Sequence, residues 1–153
     1  MSRAFVKEDA LAEDVVDRPI SPHPNYVTAS GLAQIEAALE TARQAHGAAQ
    51  TGGDRAQLAK ASSELRYWSA RRGNAHVLKP DPSRNAVQFG STVTIERDGR
   101  RQTFQIVGED EADPSHGKIS YVSPLARAVV NREVGDTVTF RDSEIVIVAA
   151  HSS

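Results

Sequence analysis

An α+β fold is predicted: a hairpin of two long helices, then a small twisted antiparallel sheet packed on one short helix. Three observations predict it. Leu32, Ile35, Leu39 and Ala42 recur at steps of three, four and three, which puts them on one helix face. Leu58, Ala61, Leu65 and Trp68 repeat those steps farther along. From Thr92 onward the period falls to two, as a half-buried strand requires.

The chain has 153 residues, 39% hydrophobic and 25% charged, which suits one ordinary domain or two very small ones. Aromatics are only 5%, so the core must be built from Val, Ile, Leu and Ala. With no cysteine, disulfides, thiolate metal sites and cysteine nucleophiles are excluded. A net charge of -2 gives no overall basic field for nucleic acid. No apolar run approaches the roughly 18 residues of a membrane span, and residues 1–17 lack a signal-peptide core, so a cytoplasmic protein with no membrane partner is expected.

Residues 1–26 read as an acidic, mobile tail. Glu8, Asp9, Glu13, Asp14 and Asp17 outnumber the bases, and Pro19, Pro22 and Pro24 block helix. Phe5, Val6, Val15 and Val16 are its sparse apolar anchors. The finger, residues 27–78, is expected to hold helices at roughly 29–49 and 55–72. Thr28 or Ser30 caps the first, and Thr51-Gly52-Gly53 reverses the chain. Two helices bury a single seam, so such a finger leans on something else or reaches for a partner.

Residues 79–86, with Pro80 and Pro82, form a linker to a second domain at 87–153. There Thr92–Glu96 makes a strand, Asp98-Gly99 a hairpin turn, and Phe104 and Ile106 mark the return strand. Lys118–Val122 is a further strand. Ser123 then caps a short helix that has Pro124 at its first position and runs to Val130. Val134-Gly135-Asp136 turns the chain into final strands at about 137–141 and 144–150.

No phosphate-binding glycine loop, nucleophile elbow or zinc-protease helix is present. The five histidines are scattered, so no metal site of its own and no cofactor are expected. Two charged features stand out. Glu109-Asp110-Glu111-Ala112-Asp113 is either a solvated loop or a docking surface for a basic partner. The second helix carries Arg55, Lys60, Arg66, Arg71 and Arg72, a solubilising face or a weak nucleic-acid contact.

These residues also carry a resemblance. The run Val87-Gln88-Phe89-Gly90-Ser91-Thr92-Val93-Thr94-Ile95 resembles the opening of the C-terminal domain of the bacterial transcript cleavage factors GreA and GreB. So, in the same order, do Ile106 to Asp113, Gly117 to Ser120, Ser123 to Ala128 and Glu133 to Asp136. Asn74 to Leu78 is similar to the segment leaving that family's coiled coil.

The resemblance implies an antiparallel coiled-coil finger and an FKBP-like C-terminal domain. It implies bacterial RNA polymerase as partner, with the globular domain docked at the rim of the secondary channel and the finger inside it. Asp110, Glu111 and Asp113, with Ser123 and Pro124 beside them, become the docking face. Contact with RNA or DNA is then indirect, through the elongation complex, with Arg55, Lys60 and Arg66 as candidates. A monomer is expected.

In that family, acidic fingertip residues help hold a second Mg²⁺ in the polymerase active site, because a hard cation takes oxygen ligands. Family tips resemble G-D-L-x-E-N-A-E-Y. Here Gly53-Asp54-Arg55-Ala56-Gln57 keeps the aspartate and replaces the glutamate by an amide. Asp54 and Gln57 also fit a helix capping box. The family finger is longer by a few turns per arm, and each turn is about 5.4 Å of reach.

Two readings follow: a polymerase-binding elongation regulator without efficient cleavage, or an active cleavage factor using the polymerase's Mg²⁺. Neither makes this chain an enzyme by itself. An FKBP-like prolyl isomerase is disfavoured by the scarcity of aromatics for its pocket.

Overall fold

The computed structural model describes residues 16–152, so the anchors Phe5, Val6 and Val15 lie outside it. The chain forms two compact units. One holds Ala33–Ala75 together with the segment ending at Pro24. The other holds Asn25–Leu32 together with the chain from His76 onward.

In the first unit, helix α1 (Ala29–Gly52, from its fifth residue on) runs antiparallel to α2 (Arg55–Gly73). Ile35, Leu39, Ala42 and Ala49 are buried on α1, which extends the predicted seam. On α2 the seam is shallower. Ala61 is buried, while Leu58, Leu65 and Trp68 are half-buried and Ser63 and Arg71 take the covered positions. Alanines keep the facing surface thin, leaving an open groove of about 650 Å³ lined by Ala38, Ala42, Ala45, Ala49, Ala61 and Trp68.

The turn departs from expectation in one respect. Helix α1 continues through Thr51 and Gly52, and only Gly53 adopts positive φ, +74°. Thr51 Oγ1 donates to the Gly47 carbonyl at 3.1 Å, a side-chain back-bond to the preceding turn. The 24 residues of α1 and 19 of α2 therefore span about 36 and 29 Å, so α1 is longer than its sequence suggests.

The second unit begins with a clasp. Strand β1 (Tyr26–Val27) pairs in parallel with β2 (His76–Val77), joining the entry to the hairpin with its exit. The His76 N–H donates to Asn25 O at 2.9 Å and the Leu78 N–H to Val27 O at 3.0 Å. Tyr26 meets Tyr121 and Phe89 with ring centroids 5.4 and 6.2 Å apart. Gly108 lies so close beneath that a Cβ there would overlap the Tyr26 carbonyl oxygen.

Five strands follow in the order β5-β4-β3-β7-β6. They are β3 (Thr92–Arg97), β4 (Arg100–Val107), β5 (Lys118–Ser120), β6 (Thr137–Phe140) and β7 (Ser143–His151). The Asp98-Gly99 turn has positive φ at both residues, 52° and 75°, the twist a two-residue hairpin needs. Arg141-Asp142 makes the same turn between β6 and β7 without a glycine, with φ 49° and 64°.

Every pairing in this sheet is antiparallel except β4 with β5. The intervening loop, which includes a 3₁₀ turn at Pro114–His116, brings the chain back in the direction of β4. Val93, Ile95, Phe104, Ile106, Ile145 and Ile147 share the buried face, closed by Ala126 and Val129 of helix α3 (Pro124–Val129). That aliphatic core is what the low aromatic content demands.

The two glycine sites differ in what a methyl group meets, so Ala substitutions separate close approach from helix propensity. Gly108→Ala is expected to cost about 1–3 kcal/mol, since backbone must move. Gly47→Ala, an exposed α1 position with nothing within 4 Å, is expected to add about 0.5–1 kcal/mol. Urea unfolding of the two variants checks both signs.

Candidate functional site

The acidic loop is ordered by its own carboxylates, and they divide into two kinds. Glu111 turns inward and is 6% exposed. Its Oε1 accepts from Thr28 Oγ1 at 2.6 Å, and Lys118 Nζ lies 3.6 Å from Oε2. Thr28 Oγ1 in turn accepts from the Gly31 N–H at 2.9 Å, capping the first turn of α1. A methyl group on Gly31 would stand 2.6 Å from that carboxylate, so glycine makes room for it. Glu111 thus ties its loop to the cap of α1.

Asp113 turns outward. It accepts from Ser115 Oγ and His116 Nδ1, each at 2.6 Å. The Ser115 hydroxyl, then His116, hold its carboxyl below the usual carboxylate range. Its backbone bridges to Lys118, and Gly117 (φ +72°) closes the turn. Asp110 is half-buried in the same loop. Ser123 Oγ accepts from the Ala126 N–H at 3.4 Å as the cap of α3, and Pro124 is exposed beside it. Backbone bonds Tyr121 N to Val107 O and Asp113 N to Lys118 O, both 2.8 Å, tie the loop to the strand leading into that cap. Asp110, Asp113, Ser123 and Pro124 are therefore presented by rigid turns of one unit.

At the fingertip, Asp54 is the N-cap of α2. Its Oδ1 accepts from the N–H groups of Ala56 and Gln57 at 2.9 and 3.2 Å. Among the described residues the Gln57 side chain makes no bond back, so only half of the capping box forms. No group of three or more histidines and carboxylates gathers to hold a metal among them. One carboxylate already engaged with backbone does not make a magnesium site.

The basic candidates on α2 have separate surroundings. Arg55 lies in its exposed first turn, and Lys60 lines the alanine groove. Arg66 is taken up by Asp17, with Nε and Nη2 each 2.8 Å from a carboxylate oxygen. Sequence reasoning missed this pairing, because partners 49 positions apart leave no local pattern.

A sequence model described as transcription elongation factor, GreA/GreB, C-terminal, matches residues 81–149. Over a longer stretch, the transcription elongation factor GreA of Legionella pneumophila (strain Corby) is 34% identical across 135 residues, covering 86% of this chain and 81% of that protein. The chain belongs to the GreA/GreB family. GreA of Legionella pneumophila (strain Lens) reaches 39% identity with the same coverage. Among solved structures, GreA factor homolog 1 of Thermus thermophilus is similar at 22% identity and a TM-score of 0.41, covering 85% of this chain and all of that one. The match at 81–149 takes in the acidic loop and the Ser123-Pro124 cap of this Gre-family chain. No described helix is long and apolar enough to cross a membrane.

Two outcomes are expected from these contacts. Glu111→Ala strands the Thr28 hydroxyl and should cost about 1–3 kcal/mol in urea unfolding, with Glu111→Gln losing less because it keeps an acceptor. The Arg66 fork, with help from Ser63, lowers the Asp17 carboxyl to about 2. A depressed pKa stabilises the contact above the free carboxylate's value and loses that stabilisation as pH falls. Trp68 fluorescence should therefore be steady at pH 5–7 and change between about pH 4 and pH 2.

Proposed function

We propose that this Gre-family chain is an elongation regulator that docks at the secondary channel of bacterial RNA polymerase and gives little stimulation of transcript cleavage. Family membership supports the partner. The docking face is the loop bearing Asp110 and Asp113 with Ser123 and Pro124, and Glu111 holds that loop from within. The partner surface is basic, since a fixed block of carboxylates steers opposite charge. The chain acts as a monomer, and it meets nucleic acid only through the elongation complex.

The observation that carries the cleavage-poor reading is the fingertip. Asp54 accepts two backbone N–H groups as a cap, and the residue three positions on is the amide Gln57. Two-metal hydrolysis wants anionic oxygens around the second cation, and the tip offers one. Finger length is a second ground: α1 runs three residues past its expected end and α2 one, less than a turn of about 5.4 Å in either arm, which does not make up a difference of a few turns. A second reading, an active cleavage factor, is favoured by one detail: both cap bonds use Oδ1, so Oδ2 of Asp54 takes no part in the cap.

RNA shortening in backtracked polymerase complexes separates the two. The protein is expected to leave the rate at or below the intrinsic one, with Asp54→Asn changing nothing. An acceleration that Asp54→Asn abolishes would assign the second reading. For docking, Asp110→Asn with Asp113→Asn is expected to weaken polymerase binding roughly fivefold; unchanged affinity would remove the face from this role.

A further inference from the structure

Asp17 and Arg18 grip one stretch of α2 through a matched set of contacts. Arg66 holds both carboxylate oxygens of Asp17 at 2.8 Å, and Ser63 adds a hydrogen bond to the same group. The Arg18 guanidinium lies 3.7 Å from the Tyr67 ring centroid and 5.3 Å from that of Trp68. It also donates to Glu64 at 2.9 Å. Tyr67 and Trp68 meet edge to face, 5.0 Å between centroids, so each ring fixes the other. The helix thus offers a fork for a carboxylate, a ring for a flat cation and a carboxylate for that cation. Glu64, Arg66, Tyr67 and Trp68 are not among the buried residues of α2.

The geometry points to this stretch as a docking surface for a protein segment that presents a carboxylate beside an arginine, with Asp17-Arg18 as its internal stand-in. A peptide fits better than a nucleic acid. Glu64 completes the site for an arginine, whereas a phosphate chain on Arg66 would run beside it with like charge. The segment 16–24, a strap along α2, continues through Pro19, Pro22 and Pro24, which keep it extended and lower the entropy lost on docking.

Occupancy by the strap is exchangeable. The four ionic side chains remain between 46% and 59% exposed, and exposed pairs are weak and screened by salt. What favours the internal segment is tethering, which supplies an effective concentration on the order of millimolar. Weak ligands are excluded, and a partner with the same chemistry and further contacts displaces the strap. This surface lies on the flank of the finger and is independent of the polymerase-docking assignment.

Trp68 is the sole tryptophan, so its emission reports on the surface directly. The full chain carrying Asp17→Ala and Arg18→Ala is titrated with a synthetic peptide of sequence Val16–Pro24. A saturable change is expected at about millimolar peptide or below, at least tenfold less response in the unsubstituted chain, and none with a peptide lacking the aspartate and arginine. Adding Glu64→Gln or Arg66→Gln to the vacated chain should weaken the response about threefold each. No response to the peptide, or one indifferent to Glu64 and Arg66, overturns the proposal. Tighter binding of a single-stranded oligouridylate than of the peptide also overturns it, in favour of nucleic acid. A charge swap guards against misfolding: Asp17→Arg should shift Trp68 emission, and Asp17→Arg with Arg66→Asp should restore it. Failure to restore counts against the site.

Discussion

The structure depends on a short clasp: two residues of β1 paired with two of β2 at the root of the hairpin. Two antiparallel helices bury one seam and cannot be stable on that alone. The clasp holds the entry and exit of the hairpin together. Around it, Tyr26 packs on Tyr121 and Phe89, Gly108 lets the backbone approach, and Glu111 secures the Thr28 cap of α1. The sheet unit therefore owns the first turn of α1 as well as its own core. Two of these contacts are sensitive to a single residue: Gly108, where a methyl group would collide with the Tyr26 carbonyl, and Glu111, which accepts the Thr28 hydroxyl.

Much of this fold can be read from residue order. The helix seams, the Asp98-Gly99 hairpin and the Ser123-Pro124 cap are local, set by periods of 3.6 and 2 or by backbone preferences of one or two residues. The features that escaped are those whose cause lies elsewhere in the chain. Arg141-Asp142 turns without a glycine because β6 and β7 on either side fix the hairpin twist. The parallel pairing of β5 follows from how a loop packs. The continuation of α1 through Thr51 and Gly52 runs past the residues whose composition argues for an earlier stop.

The candidate sites show the same division. A run of four carboxylates in five positions is visible in sequence, but its composition does not say that Glu111 faces inward and Asp113 outward. Thr28, Gly31 and Lys118, which decide the matter, lie as many as 83 positions from Glu111. The fingertip was more legible, since capping is a local property and Asp54 caps as its spacing implies. The strap contacts were invisible, because ion pairs and ring stacking carry no period. Among the exposed charges of α2, sequence could count bases but not see that Arg66 already has a bidentate partner.

The open end of the hairpin has a consequence of its own. Gly53 turns the chain in solvent, with nothing near the position a side chain would take. The contacts of Tyr26, Thr28 and Gly31 are all made within the sheet unit. Inserting matched whole turns in both arms would therefore move the tip by about 5.4 Å per turn while leaving every root bond unchanged. Finger length in this architecture is an adjustable parameter, uncoupled from folding of the sheet unit.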